Sequence, residues 1–147
     1  MDIKARRLAA GLTQAALARA AGVSQPNLSA YENGRRAPSP QVVARIRQAL
    51  AGRPSVRVEE HRESIKAIVA AHHATEARVV GSVARGEDRP GSDVDLLVEF
   101  TEEASLLDEV GLRVALTDLL QVSVDLIAAD TLREPLRSRL LAEAVAV

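Results

Sequence analysis

The breaker-rich stretch Ala51-Gly52-Arg53-Pro54-Ser55 separates two halves of this chain that read as different architectures. Before it, every apolar run repeats at helical spacing; after it, short apolar strands interrupt the helices. With 147 residues the chain has room for two small domains. The expected division is an all-α domain over 1–53, a linker over 54–60 and an α/β domain over 61–147. Charge divides at the same place. Residues 1–53 hold nine Lys/Arg against two acids, whereas residues 54–147 hold ten against eighteen. A polyanion partner is therefore expected for the first half alone.

The absence of cysteine excludes disulfides, thiolate metal sites and a cysteine nucleophile. Tyr31 and Phe100 are the only aromatic residues, so the cores must be aliphatic, and single-stranded nucleic acid finds no platform for stacking. Met1-Asp2-Ile3-Lys4 leads into charged residues, unlike a signal peptide, and no apolar run reaches the length that spans a bilayer. The expectation is a cytoplasmic protein with no membrane partner.

In the first half, a helix is expected from Ile3 to Ala10. Thr13 can cap a second over Gln14 to Ala20, which Gly22 interrupts. Ser24 can cap a third, with Pro26 tolerated in its first turn and Asn33-Gly34 at its end. Pro40 starts a fourth, whose Val43, Ile46 and Leu50 share one stripe. Helix, short glycine turn and helix is the geometry that sets a recognition helix into a major groove. The first turn of that helix presents Gln25 and Asn27, with Ser29 slightly deeper. Gln and Asn can make paired hydrogen bonds to adenine. Gln14, opening the preceding helix, suits a phosphate. Arg35, Arg36 and Arg7 are expected to make further phosphate contacts, and Leu8, Leu17, Val23, Leu28 and Tyr31 to form the core.

The segments Gly11-Leu12-Thr13-Gln14-Ala15-Ala16-Leu17-Ala18 and Val23-Ser24-Gln25-Pro26-Asn27-Leu28-Ser29-Ala30-Tyr31-Glu32-Asn33-Gly34-Arg35-Arg36-Ala37-Pro38 resemble the XRE family of phage-repressor-type helix-turn-helix domains. The resemblance implies binding to double-stranded promoter DNA, by a homodimer reading two half-sites.

The second half reads as helix (Glu60 to Ala71), short strand (Arg78 to Val80), a turn at Gly81-Ser82, and a helix beginning at Val83. A polar loop, Gly86 to Gly91, leads to a strand over Asp93 to Phe100. Then follow a helix (Leu106 to Leu120), a strand (Val122 to Ile127) and a closing helix (Leu132 to Val145) around a small sheet. Asp93 and Asp95 lie two apart, so on a strand they project from one face, about 6.6 Å apart. Close carboxylates without a counter-charge resist ionisation. A divalent cation removes the conflict, and an all-oxygen ligand set favours Mg²⁺ or Mn²⁺. Asp125 interrupts another apolar strand and joins them if the two strands are neighbours. Gly81-Ser82 leaves room for a phosphate beside backbone N–H groups and the Ser82 hydroxyl, with Arg85 adding charge one turn on.

Gly-Ser turns and Asp-x-Asp pairs are each common, and solvated strand-end acids explain either one alone. Their order is more specific: Gly81-Ser82, ten intervening residues, Asp93-x-Asp95, then Asp125 on a strand. That order resembles the polymerase-β-type nucleotidyltransferases. Gly81-Ser82-Val83-Ala84-Arg85-Gly86-Glu87 and Ser92-Asp93-Val94-Asp95-Leu96-Leu97-Val98 are similar to its minimal branch, the MNT antitoxins. The resemblance implies an α/β (α+β) domain with a small mixed sheet. It implies Asp93, Asp95 and Asp125 as metal ligands, with Asp125 also helping to activate an acceptor hydroxyl. Gly81, Ser82 and Arg85 would hold the nucleotide phosphates. It further implies AMP transfer from ATP to a HEPN-type ribonuclease toxin, or direct binding of that toxin, in an antitoxin that regulates its own operon. Two alternatives differ in class: a regulator whose second domain only senses nucleotide or dimerises, and a small-molecule nucleotidyltransferase, for which about ninety residues leave no substrate domain.

Blander expectations cover the rest. His61, His72 and His73 lack the partners of a zinc site, Leu132, Leu136 and Leu140 read as a core-facing stripe, and Glu102, Glu103, Asp108 and Glu109 as a solvated face.

Overall fold

Side-chain caps start the first four helices of the computed structural model, which describes residues 1–147. Asp2, Thr13, Ser24 and Ser39 each accept a backbone N–H from three residues on, at 3.0 to 3.3 Å. They open α1 (Ile3–Ala9), α2 (Gln14–Ala21), α3 (Gln25–Glu32) and α4 (Pro40–Ala51). Each cap contributes about 1 kcal/mol. Gly22 ends α2 at a φ of 66°, where a glycine carries no β-carbon penalty.

Ile3, Leu17, Leu28 and Ile46 form the centre of this helical core, with Val23 and Tyr31 at its edge. Leu8, expected inside, is 59% exposed. Residues four apart share a helix face, so α1 turns Ile3 and Arg7 inward and Leu8 outward. Arg7 is consequently no phosphate contact. It is buried, with Nε and Nη2 donating to the two Glu32 carboxylate oxygens at 2.6 and 3.2 Å and Nη1 donating to the Leu12 carbonyl at 2.9 Å.

Residues 54–60, read from sequence as a linker, form helix α5 (Pro54–Glu60). Its Val58 belongs to the core of the second half, alongside Ile65 and Val69 of α6 (Arg62–Ala71). The sheet that follows has the order β3-β2-β1-β4. β1 (Ala74–Val80) pairs antiparallel with β2 (Val94–Phe100), and β2 pairs parallel with β3 (Val124–Ala128). Short helix α7 (Gly81–Arg85) follows β1, and α8 (Leu106–Leu120) makes the crossover between the parallel strands.

Alternation along β2 sends Val94, Leu96 and Val98 into the main core with Leu112, Leu116 and Leu120 of α8. Leu97 faces the other way, onto Val80 and Leu140. Leu140 lies on α9 (Leu136–Glu143), which is shorter than the closing helix expected over Leu132 to Val145. Proline cannot donate a helical hydrogen bond and restricts the residue before it, so the helix begins only after Pro135. Beyond α9 the chain adds an unforeseen strand, β4 (Val145–Ala146), antiparallel to β1. No helix is long and apolar enough to cross a membrane.

Candidate active site

The parallel register sets Asp95 directly beside Asp125, and the antiparallel register sets Val80, the last residue of β1, beside Asp95. Asp95 and Asp125 therefore project from the sheet face that α9 partly covers, next to the turn into α7. Asp93 precedes β2 by one residue and is exposed, as is Asp125, whereas Asp95 is half-buried. Burial pushes the Asp95 carboxyl above the usual value of 3.8, and the neighbouring Asp125 and Asp93 charges push it further, with Arg85 opposing them. Two features fix Gly81. Its φ is +71°, and a β-carbon there would stand 2.6 Å from Asp95 Oδ2. The Gly81 backbone and the Asp95 carboxylate thus approach as closely as a glycine permits.

Arg85 closes α7, half-exposed, and its Nε donates to Glu87 at 3.1 Å. A residue not singled out from the sequence completes the site. Glu143, on the last turn of α9, accepts the Gly81 N–H at 2.9 Å through Oε1 and Arg85 Nη1 at 3.0 Å through Oε2. The Gly81 N–H holds the Glu143 carboxyl below its usual range, with Arg85 adding to the effect. No local spacing marks Glu143, because its role depends on how α9 docks on the sheet.

The donor set suits a hard divalent cation. Asp93, Asp95 and Asp125 supply oxygen alone, and no Lys, Arg or His forms an ion pair with any of them. Burial, and after it the neighbouring Asp125 and Asp93 charges, disfavour the ionised Asp95, and a cation would offset both. As they stand, the three carboxylates are not gathered into a cluster tight enough to chelate.

On the helical half, Gln25 is exposed at the first turn of α3, and Asn27 and Ser29 are half-buried along it. Asn27 Oδ1 accepts from the exposed Arg36 at 3.2 Å, and Arg35 is exposed beside it. Gln14 donates through Nε2 to Glu32 at 2.8 Å, which ties the start of α2 to the Arg7–Glu32 pair.

Residues 58–147 match the nucleotidyltransferase domain family and residues 3–56 the helix-turn-helix family. The chain belongs to the nucleotidyltransferase domain family and carries an XRE-type helix-turn-helix in front of the transferase. Among its relatives is a Methanocaldococcus jannaschii protein provisionally named a protein adenylyltransferase, 38% identical over 92 residues, spanning 63% of this chain and 99% of the relative. The protein adenylyltransferase MntA of Thermococcus cleftensis is 38% identical over 93 residues, spanning 58% of this chain and 94% of MntA. A solved structure provisionally described as a minimal nucleotidyltransferase superimposes with a TM-score of 0.59 at 43% identity, over 63% of this chain and 95% of that one. A crystal structure of a toxin–antitoxin complex with AMP-PNP shares the fold, with a TM-score of 0.51 at 17% identity, over 57% of this chain and 69% of that one. The chain is a nucleotidyltransferase.

Proposed function

We propose that this chain is an antitoxin and operon regulator that transfers AMP from ATP, with Mg²⁺, to a HEPN-type ribonuclease toxin, and binds its own promoter through the helix-turn-helix. The observation that carries the reading is the approach of Asp95, flanked by Asp93 and Asp125, to the Gly81–Arg85 turn. The relatives named protein adenylyltransferases support AMP as the transferred group and a protein as the acceptor.

Asp93 and Asp95 would hold the metal against the triphosphate, while the Gly81 N–H, the Ser82 hydroxyl and Arg85 would hold the β- and γ-phosphates. The metal, when bound, supplies charge neutralisation and favours the ionised acceptor. The acceptor oxygen bonds to the α-phosphorus as the α–β bridging bond breaks. Pyrophosphate leaves, and the hydroxyl proton passes toward Asp125. On DNA, Gln25, Asn27 and Ser29 would read base edges, while Arg35, Arg36 and Gln14 would meet phosphates, in a homodimer on two half-sites.

The test mixes the purified chain with ATP, Mg²⁺ and the product of the neighbouring gene, and weighs that product intact. A gain of one or more AMP units is expected. In the Asp93→Ala/Asp95→Ala variant the gain should fall at least ~100-fold, because removing a direct metal ligand should cost more than the 10–100-fold typical of residues that only support one. Tight binding of the partner with no gain in mass would leave neutralisation by contact and overturn the transfer reading.

A further inference from the structure

Glu143 touches two of the groups that a triphosphate needs. Its two carboxylate oxygens span the Gly81 N–H and the Arg85 guanidinium at 2.9 and 3.0 Å, a bidentate arrangement that a phosphate oxygen pair can reproduce. The Glu143 side chain is 21% exposed, so its carboxylate is largely enclosed by the turn it bridges. A backbone N–H that already donates along its axis cannot donate equally to a second anion. Two anions held on one guanidinium edge and one N–H also repel each other.

Resting on the reading of this turn as the phosphate cradle, we propose that Glu143 is an internal occupant of the triphosphate subsite, displaced when nucleotide binds. Glu143 thereby sets nucleotide affinity: a ligand enters only if its phosphates out-compete the carboxylate. α9 is tethered through Leu140 on the sheet and through β4 on β1, so displacement needs only the Glu143 side chain to swing out. The competition applies to any ligand that carries phosphates into the turn and spares one that does not. Glu143 is thus a specificity-determining position, discriminating by phosphate content rather than by base.

The test is isothermal titration of the full chain with Mg²⁺–ATP, inorganic pyrophosphate and adenosine, for the wild type, Glu143→Ala and Glu143→Gln, with thermal unfolding as a check on folding. Removing the competitor should tighten ATP and pyrophosphate roughly two- to fivefold, the scale of a partly exposed ion pair. Adenosine affinity should not move. Glu143→Gln, which keeps the shape and loses the charge, should lie between and remains informative if the alanine variant folds poorly. In the transfer assay the gain should appear as a lower KM for ATP. Wild type binding ATP while both variants bind it equally or more weakly overturns the inference alone, and makes Glu143 a support for Arg85. ATP and pyrophosphate binding to none of the three overturns the phosphate cradle and the inference together.

Discussion

At Gly81 the positive φ and the nearby Asp95 carboxylate oxygen both exclude a side chain. Gly81→Ala adds strain of about 1–2 kcal/mol for an L residue in that region, and its β-carbon must push Asp95 aside. The expected outcome is a lower unfolding midpoint together with at least a ~10-fold loss of transfer, read by thermal unfolding and by the mass assay on one sample. Glu32 predicts a pH dependence. Its contact with Arg7 holds the Glu32 carboxyl below the usual value of 4.5. The stabilisation is therefore complete above that value and is lost as the pH falls through the lower folded value. Wild type should lose helical-domain stability as the pH falls below 4.5 more steeply than Glu32→Gln, as followed by circular dichroism.

Helix α5 serves the transferase half more than it separates two halves. Besides the buried Val58, Arg57 donates to the Leu120 and Leu119 carbonyls at 3.2 and 3.3 Å, closing the end of α8. Ser55 N–H and Arg53 Nη2 both bind the buried Asp88 carboxylate, at 2.8 and 3.0 Å, in the loop after α7. A fragment of residues 53–147 should therefore unfold in urea with at least ~2 kcal/mol more stability than residues 61–147, Val58 burial alone accounting for about 1.5 kcal/mol or more. Helices with a cap and a stop were legible in the sequence: Thr13 and Ser24 open α2 and α3 as expected. Two apolar strands each interrupted by an acid were visible too, while the parallel pairing that sets Asp95 beside Asp125 was left open. Elements defined by tertiary contact were not. β4 is too short to show alternation, and Val58 is one apolar residue in a polar stretch. Glu143 becomes part of the site only because Leu140 docks α9 on the sheet. Arg7 and Leu8 exchanged places for a similar reason. A sequence ranks Leu as the interior residue, but the pairing of Arg7 with Glu32, twenty-five residues away, reverses that order.

Across the whole molecule, the two halves carry opposite charge, and only the helical half can gain from counterion release on DNA. Binding to a duplex from its own promoter should weaken with salt, and Arg35→Ala should reduce the slope of log affinity against log salt by about 1. Stability and activity should conflict at the other end of the chain. The fold raises the Asp95 pKa, so the penalty on its ionised form is absent well below 3.8, grows as the pH rises past that value, and is complete once the pH exceeds the raised folded value. A carboxylate kept against that penalty marks a functional site. The decisive measurement is therefore made on Asp95→Asn at neutral pH, scoring thermal unfolding and AMP transfer together. The expected result is a midpoint a few degrees above wild type with transfer reduced at least ~100-fold. Transfer at the wild-type rate would contradict it, whatever the midpoint, because the carboxylates would then not be where the chemistry occurs.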